Sequence, residues 1–377
     1  MSVFVPGPLQ DRNQLGDDRV RKLLQHFTAF LFILFNVGKG ICHGGFLHPT
    51  SSLCSSGCSL YHTRLKDRGH SVIICLESGG TKLVAAVAET DGELRTVARR
   101  YRRPGQEALE TLTDLVEMGR ELAGAETIDA VGYGFGGTVR RADQRPGPCF
   151  HEPGWENVDP PRYLEEAFRA PVFIENDCNL GALGEAHFGV RDTRGTLFYM
   201  TIGTGIGGGI VHRGRLLQSG ALGEGEIGHV VVDETGPDCP CGNRGCLETL
   251  CAGPGLARLA SHMLGSTVDA CTLMQRFRKG DSAATGVVEL AARYLGKTLA
   301  VTINLLAPDT IVMGGGVMTD NQAFLELVVS RTEPHVFPFF RNRTRFVLSA
   351  LGENVVSQGA AIYAIQRLAE QKETQTT

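Results

Sequence analysis

The sequence predicts an α/β protein of two similar halves with a cleft between them. Three observations carry that expectation. From Ser71 onward, apolar β-branched runs of strand length alternate with helical stretches, the pattern of layered α/β domains. A strand–glycine turn–strand unit occurs at residues 73–88 and again at 196–217, a weak internal duplication. The chain has 377 residues and is 42% hydrophobic, enough to bury two cores.

The elements follow in order. VIICLE (72–77) reads as a buried strand, SGGT as a turn and KLVAAVAE (82–89) as a second strand, with another turn at Asp91-Gly92. Residues 108–122 space Leu and Val as a helix does. A strand at 130–135 leads into Gly136-Gly137, a helix covers 162–168, and a strand at 171–175 ends at Asn176-Asp177. Residues 179–188 read as helix. The second unit has arms at 196–202 and 210–217 around a turn at 203–209. Helices are expected at 254–265 and 283–306, a strand at 310–313 before Gly314-Gly315-Gly316, and a closing helix at 357–372. The expected division is an extension at 1–70, a first domain at 71–190, a second at 191–352 and a terminal helix at 353–377.

Net charge is −4 and unevenly spread, +4 in residues 1–70 and −8 in the remainder. An acidic body argues against a nucleic-acid-binding face, which needs a basic surface. The apolar run at 27–37 (FTAFLFILFNV) is shorter than the ~20 residues that cross a bilayer. It follows Arg19, Arg21 and Lys22 as a signal-peptide core would, but no small-x-small cleavage site follows closely. The expectation for residues 1–70 is a poorly ordered extension, with neither membrane nor nucleic acid as partner. Eleven cysteines without paired spacing, three of them crowded into residues 239–246, indicate a reducing, cytoplasmic setting.

Gly79-Gly80-Thr81-Lys82 lies between two strands. Successive N–H groups of a tight glycine turn converge on an anion, Thr81 adds a hydroxyl, and a Cβ would block the approach of phosphate. A plain hairpin turn looks the same. The second turn, IGTGIGGGI (202–210), contains a G-x-G-x-x-G match at Gly203, Gly205 and Gly208. It is not a dinucleotide fingerprint, because a strand rather than a helix follows, and no Gly-Lys-Ser/Thr makes it a Walker A loop. Two such turns suit a nucleotide clamped across a cleft, with Gly314–Gly316 placed against its adenosine.

Phosphoryl transfer needs positioning, charge neutralisation and a carboxylate to take the hydroxyl proton. Asp177, just after a strand end, is the candidate base; capping the following helix is an equal reading from spacing alone. Glu226 and Glu248 can accept from vicinal sugar hydroxyls, or stand as ordinary surface glutamates. His229, Cys239, Cys241 and Cys246 fall within eighteen residues and form a closed tetrahedral zinc set, structural rather than hydrolytic.

Taken together, Glu77-Ser-Gly-Gly-Thr-Lys82, Glu175-Asn-Asp177, the turn at 203–210, Glu226-Ile-Gly-His229 and Cys239-Pro-Cys-Gly-Asn-Arg-Gly-Cys-Leu-Glu248 resemble the ROK family of repressors, open reading frames and kinases. PGWEN (153–157) is similar to the family's segment before Glu-Asn-Asp. The resemblance implies an actin-like fold (ASKHA, ribonuclease H-like) of two domains, with the C-terminal helix returning to the first. It implies ATP with Mg2+ at Gly79, Gly80, Thr81, Lys82, Gly203, Thr204, Gly205, Gly207, Gly314 and Gly315. Asp177 becomes the general base. Gly137, Asn176, Glu226, His229 and Glu248 hold the sugar, and His229 turns its other ring nitrogen to zinc. The implied activity is hexose phosphorylation, glucose first, with N-acetylmannosamine, N-acetylglucosamine and fructose as alternatives, in a homodimer or homotetramer.

Glu77 stands where the family usually has Asp, Gly136-Gly137-Thr138 where a Gly-Pro-Gly-like turn is common, and Cys251 and Pro254 in a segment that usually carries a Ser. A sugar-responsive repressor is the other family reading. It requires a winged helix-turn-helix ahead of the sugar domain, and GFLHPTSSLCSSGCS (45–59) offers neither amphipathic helices nor a basic face.

Overall fold

The structure, a computed structural model, describes residues 71–147, 154–220 and 223–376. These belong to one compact unit, Gly57–Thr377. The extension expected at 1–70 lies outside the described residues.

Two mixed five-stranded sheets repeat one topology. The first contains β1 (Ser71–Ser78), β2 (Lys82–Ala88), β3 (Leu94–Tyr101), β4 (Thr127–Phe135) and, after the small hairpin β5 (Val139–Arg140) and β6 (Arg145–Pro146), β7 (Val172–Asn176). Its order is β3-β2-β1-β4-β7, antiparallel on the hairpin side of β1 and parallel on the other. The second contains β8 (Thr196–Ile202), β9 (Ile206–His212), β10 (Arg215–Leu216), β11 (Thr310–Gly314) and β12 (Arg345–Leu348), ordered β10-β9-β8-β11-β12 with the same senses. The internal duplication is therefore structural: a hairpin, then two parallel strands added beyond it.

Central strands read as continuous apolar runs because both faces are covered. β1 is buried from Val72 to Ser78. One face of its sheet packs on α1 (Ala108–Ala123) and α2 (Pro160–Phe168), with Leu112, Leu115 and Leu164 in that core. The second sheet is covered by α5 (Gly253–Leu264), which follows the short α4 (Leu247–Cys251), and by α6 (Ala270–Arg278), α7 (Ser282–Leu306) and α8 (Gln322–Thr332). A third core fills the space between the sheets. It is built on α3 (Asp177–Gly184) and the closing helix α9 (Val355–Thr376). These two helices meet backbone to backbone: a Cβ on Gly184 would strike the Val355 carbonyl, and one on Gly359 the Leu180 carbonyl.

The turn expected at 203–209 is shorter, and β9 starts at Ile206. Gly207, Gly208 and Gly209 are strand residues paired with Thr201, Met200 and Tyr199. Their glycine content serves packing, because side chains there would collide with Cys178, Phe198 and the α3 backbone. The helix expected at 179–188 is α3 followed by a single π turn, Glu185–Gly189. No helix among the described residues is long and apolar enough to cross a membrane.

Candidate active site

The strand register brings the chemistry to one level. Ser78 pairs with Phe135, and Phe135 with Asn176, so β1, β4 and β7 end together. In the other sheet Gly314 pairs with Thr201 one residue before β8 ends. The carboxyl ends of parallel strands are where open α/β sheets bind ligands. A cavity of about 860 Å³ opens there, lined from both sheets.

Asn176 ends β7 and caps α3, its Oδ1 accepting from the N–H groups of Cys178 at 2.9 Å and Asn179 at 3.1 Å. The cap position is thus filled by Asn176, and Asp177 is left as the first helical residue, facing the cavity. Asp177 Oδ1 accepts from Cys178 N–H at 2.8 Å and from Asn176 Nδ2 at 3.2 Å. Asn176 Nδ2 also donates to Gly137 O at 3.1 Å, which fixes the Gly136-Gly137 turn beside the carboxylate. Behind it, the buried Glu175 accepts from Asn176 N–H and Asn179 Nδ2. Burial pushes the Asp177 carboxyl up to about 6; hydrogen bonds from Cys178 oppose the shift and the charge of Glu226 adds to it. A base poised near neutrality is suited to take a hydroxyl proton.

Gly79, Gly80, Thr81 and Lys82 of the β1–β2 turn line the same cavity. Lys82 Nζ pairs with Glu353 at 3.1 Å. Glu77, one residue inside the end of β1, is only 8% exposed, and its Oε2 is buried without a hydrogen-bond partner. Burial pushes its carboxyl up to about 7, Lys82 opposing and Asp177 adding. A buried carboxylate oxygen with no donor, beside a second carboxylate at a glycine turn, is the chemistry that a divalent cation satisfies.

Gly203, Thr204 and Gly205 face the cavity from the second turn, and Gly207 from the start of β9. The turn is gripped by Gly253 N–H donating to Gly203 O at 2.8 Å and Val317 N–H donating to Ile202 O at 3.0 Å. Gly314 and Gly315 do not line the cavity; Gly316 does. Gly314 is the last residue of β11 against Tyr199, and Gly315, at φ 86°, turns against the Ile202 backbone. The glycine run therefore shapes the strand exit, and its third member reaches the ligand space. The inner wall also includes Cys271, Met274 and Arg278 of α6, with Asp320 and Asn321 ahead of α8, none of them singled out from sequence. A signal was present: Asp269 caps α6 by accepting from Thr272 N–H at 2.6 Å.

Glu226, His229 and Glu248 close the other side. Glu248 Oε2 accepts from Ile206 N–H at 2.8 Å. His229 directs Nδ1 toward Cys239 Sγ at 3.6 Å, while Nε2 lies 3.9 Å from Glu226 Oε2. Cys241 and Cys246 sulfurs are 3.7 Å apart, and the four candidate ligand atoms all lie within 4.8 Å of one another. Zinc bonds of about 2.3 Å to sulfur and about 2.0 Å to nitrogen give tetrahedral edges of about 3.5–3.8 Å, which the 3.6 and 3.7 Å contacts match, so the donor set is compatible with that ion. Gly242 and Gly245, at φ 94° and 70°, let the segment double back, and a Cβ at Gly245 would strike the Asp233 carbonyl.

The ROK family profile matches residues 73–367. This chain belongs to the ROK family. A relative, the glucokinase of Halalkalibacterium halodurans, is 30% identical over 302 residues, spanning 74% of this chain and 90% of that protein. The crystal structure of a ROK hexokinase from Thermus thermophilus is 31% identical with a TM-score of 0.69, covering 79% of this chain and 99% of the other. A ROK glucokinase from Streptomyces griseus, solved with glucose and AMPPNP, is 25% identical with a TM-score of 0.69, covering 78% of this chain and all of that one (100%). The fold is accordingly the actin-like fold of ROK kinases, the two duplicated sheets flanking the cleft.

Proposed function

We propose that this chain transfers the γ-phosphoryl group of ATP to a hexose hydroxyl, with glucose as first substrate and glucose 6-phosphate as product. The observation that carries the reading is a single cavity in which Asp177 faces both glycine turns and the Glu226–His229–Glu248 wall. A protein that only senses a sugar needs that wall but has no use for two phosphate turns.

In this reading the halves at residues 71–190 and 191–352 close on the ligands, with residues 353–377 carried by the first. N–H groups of the two turns and Lys82 hold the phosphates. Asn176, Glu226, His229 and Glu248 accept from or orient the sugar hydroxyls, with the Gly137 turn beside them. Asp177 takes the hydroxyl proton as the oxygen bonds to the γ-phosphorus and the bond to the β-phosphate oxygen breaks, releasing ADP. Glu77 would hold Mg2+, which supplies neutralisation of phosphate charge. Cys239, Cys241, Cys246 and His229 Nδ1 would hold Zn2+, which supplies a cross-link for the loop that carries His229. Assembly as a homodimer or homotetramer belongs to the same reading, and light scattering of the full chain measures it.

The test is product analysis. The full chain with ATP, Mg2+ and glucose should give a sugar phosphate whose phosphorus NMR signal shows coupling to the C6 protons. Phosphorylation of N-acetylmannosamine, N-acetylglucosamine or fructose in its place would move the substrate assignment. No phosphorylated sugar from any of them would remove the kinase reading.

A further inference from the structure

The chain passes between the two sheets at residues 185–195 and returns at residues 349–354. The first crossing opens with the π turn Glu185–Gly189, at the end of the helix whose first residue is Asp177. Single π turns are frequent at functional sites. Glu185 is fully buried. Its Oε1 accepts from the Ser349 hydroxyl and, at 3.4 Å, from Leu351 N–H, both in the second crossing. Its Oε2 has no hydrogen-bond partner and packs against Gly189, where a Cβ would overlap it. Burial raises the carboxyl above its ordinary value, and the Ser349 and Leu351 donors oppose that. An apolar side chain would fill this space without the desolvation cost.

The second crossing also reaches the first phosphate turn. Glu353 pairs with Lys82 at 3.1 Å and with Arg99 at 3.2 Å. A continuous path thus runs from Asp177 along α3 to Glu185, across to Ser349 and Leu351, and on through Glu353 to Lys82.

We propose that Glu185 is a positioning residue that clasps the two crossings into one hinge and sets how the half carrying both Asp177 and Lys82 meets the phosphate held by the opposite half. The kinetic consequence rests on the phosphotransfer reading; the clasp itself does not. The tested proteins are the full-length wild type, Glu185→Gln, Glu185→Ala and Ser349→Ala. In hydrogen exchange, Glu185→Ala should speed amides of both crossings by ~10-fold while β4 and β8 stay unchanged, because opening one crossing releases the other. Its kcat should fall ~10–100-fold with the hexose KM within about threefold, since alignment rather than binding is lost. Glu185→Gln, which keeps the acceptor oxygen, should restore both readouts. Ser349→Ala, milder, reads the same coupling if Glu185→Ala does not fold. Faster exchange confined to residues 185–190, or a Glu185→Ala kcat within twofold of wild type, overturns the proposal. If the wild type phosphorylates no hexose, the kinase reading fails and the exchange result alone decides the clasp.

Discussion

Glu248 Oε2 accepts the backbone N–H of Ile206 at 2.8 Å. That bond joins the helix immediately after Cys246 to the start of β9, where the second phosphate turn ends. The cysteine cluster and the second glycine turn are linked through this bond, so loss of the proposed zinc should be felt at both of the proposed ligands.

Replacing Cys241 with Ser should release about one zinc per chain by metal analysis, since a closed four-ligand site loses affinity with any one thiolate. The KM for hexose should rise ~10-fold or more through displacement of His229 and Glu226, and the KM for ATP more modestly through Glu248. A wild type without zinc on purification would contradict the cluster assignment.

The pH profile follows from Asp177, whose carboxyl lies at about 6. A base must be ionised, so kcat/KM should rise roughly tenfold per pH unit below about 6 and level above it. The stability sign is the reverse. Between 3.8 and about 6 the native state holds a proton that the unfolded chain has lost, so stability falls as pH rises through that window. Glu77, at about 7, extends the window upward. Thermal melts of Asp177→Asn should show it gaining on wild type as pH goes from 4 to 7.

What the sequence showed plainly was chemistry carried by local pattern. The two glycine turns, Glu175-Asn176-Asp177 and the cysteine cluster each sit within a short stretch, and the structure brings Gly79–Lys82, Asn176, Asp177, Gly203–Gly205, Gly207, Glu226, His229 and Glu248 to one cavity, while Glu175, Gly208, Gly209, Gly314, Gly315 and the cysteines lie off it. What escaped was set by tertiary contact. β3 is an edge strand of half-exposed, charged residues, LRTVARRY, without a clean period. The glycines at 207–209 read as loop because nothing local shows that α3 lies on them. The clasp of Glu185 to Ser349 joins residues 164 apart, beyond any pattern a window can hold.

Arg141 of the β5–β6 hairpin pairs with Glu224, which also accepts from Ser219 N–H at 2.6 Å and Gly220 N–H at 2.7 Å. This fastens the segment leading into Glu226 to the opposite half. Although burial works against it, the guanidinium and the two backbone donors hold the Glu224 carboxyl down to about 2, so the pair stays ionised across the working range. Arg141→Ala should raise the hexose KM ~10-fold with a smaller effect on kcat, measured in steady-state assays.

Glu77→Gln should raise the Mg2+ concentration needed for half-maximal rate, because the amide keeps the shape but not the charge at the buried Oε2 position. Folding should be retained, and thermal stability above pH 7 should rise, since a raised carboxyl no longer has to ionise in place. An unchanged Mg2+ dependence would contradict the role given to this residue.

Asp177 as the base of a hexose kinase is the central proposal. The measurement is ADP release by the full chain with Mg-ATP and saturating glucose, wild type against Asp177→Asn, with sugar and nucleotide binding followed by thermal shift. The expected result is turnover in the wild type, a loss of ~10³-fold or more in Asp177→Asn, and binding of both ligands retained by the variant. A near-normal kcat in Asp177→Asn, or a wild type that binds glucose without releasing ADP, would contradict it.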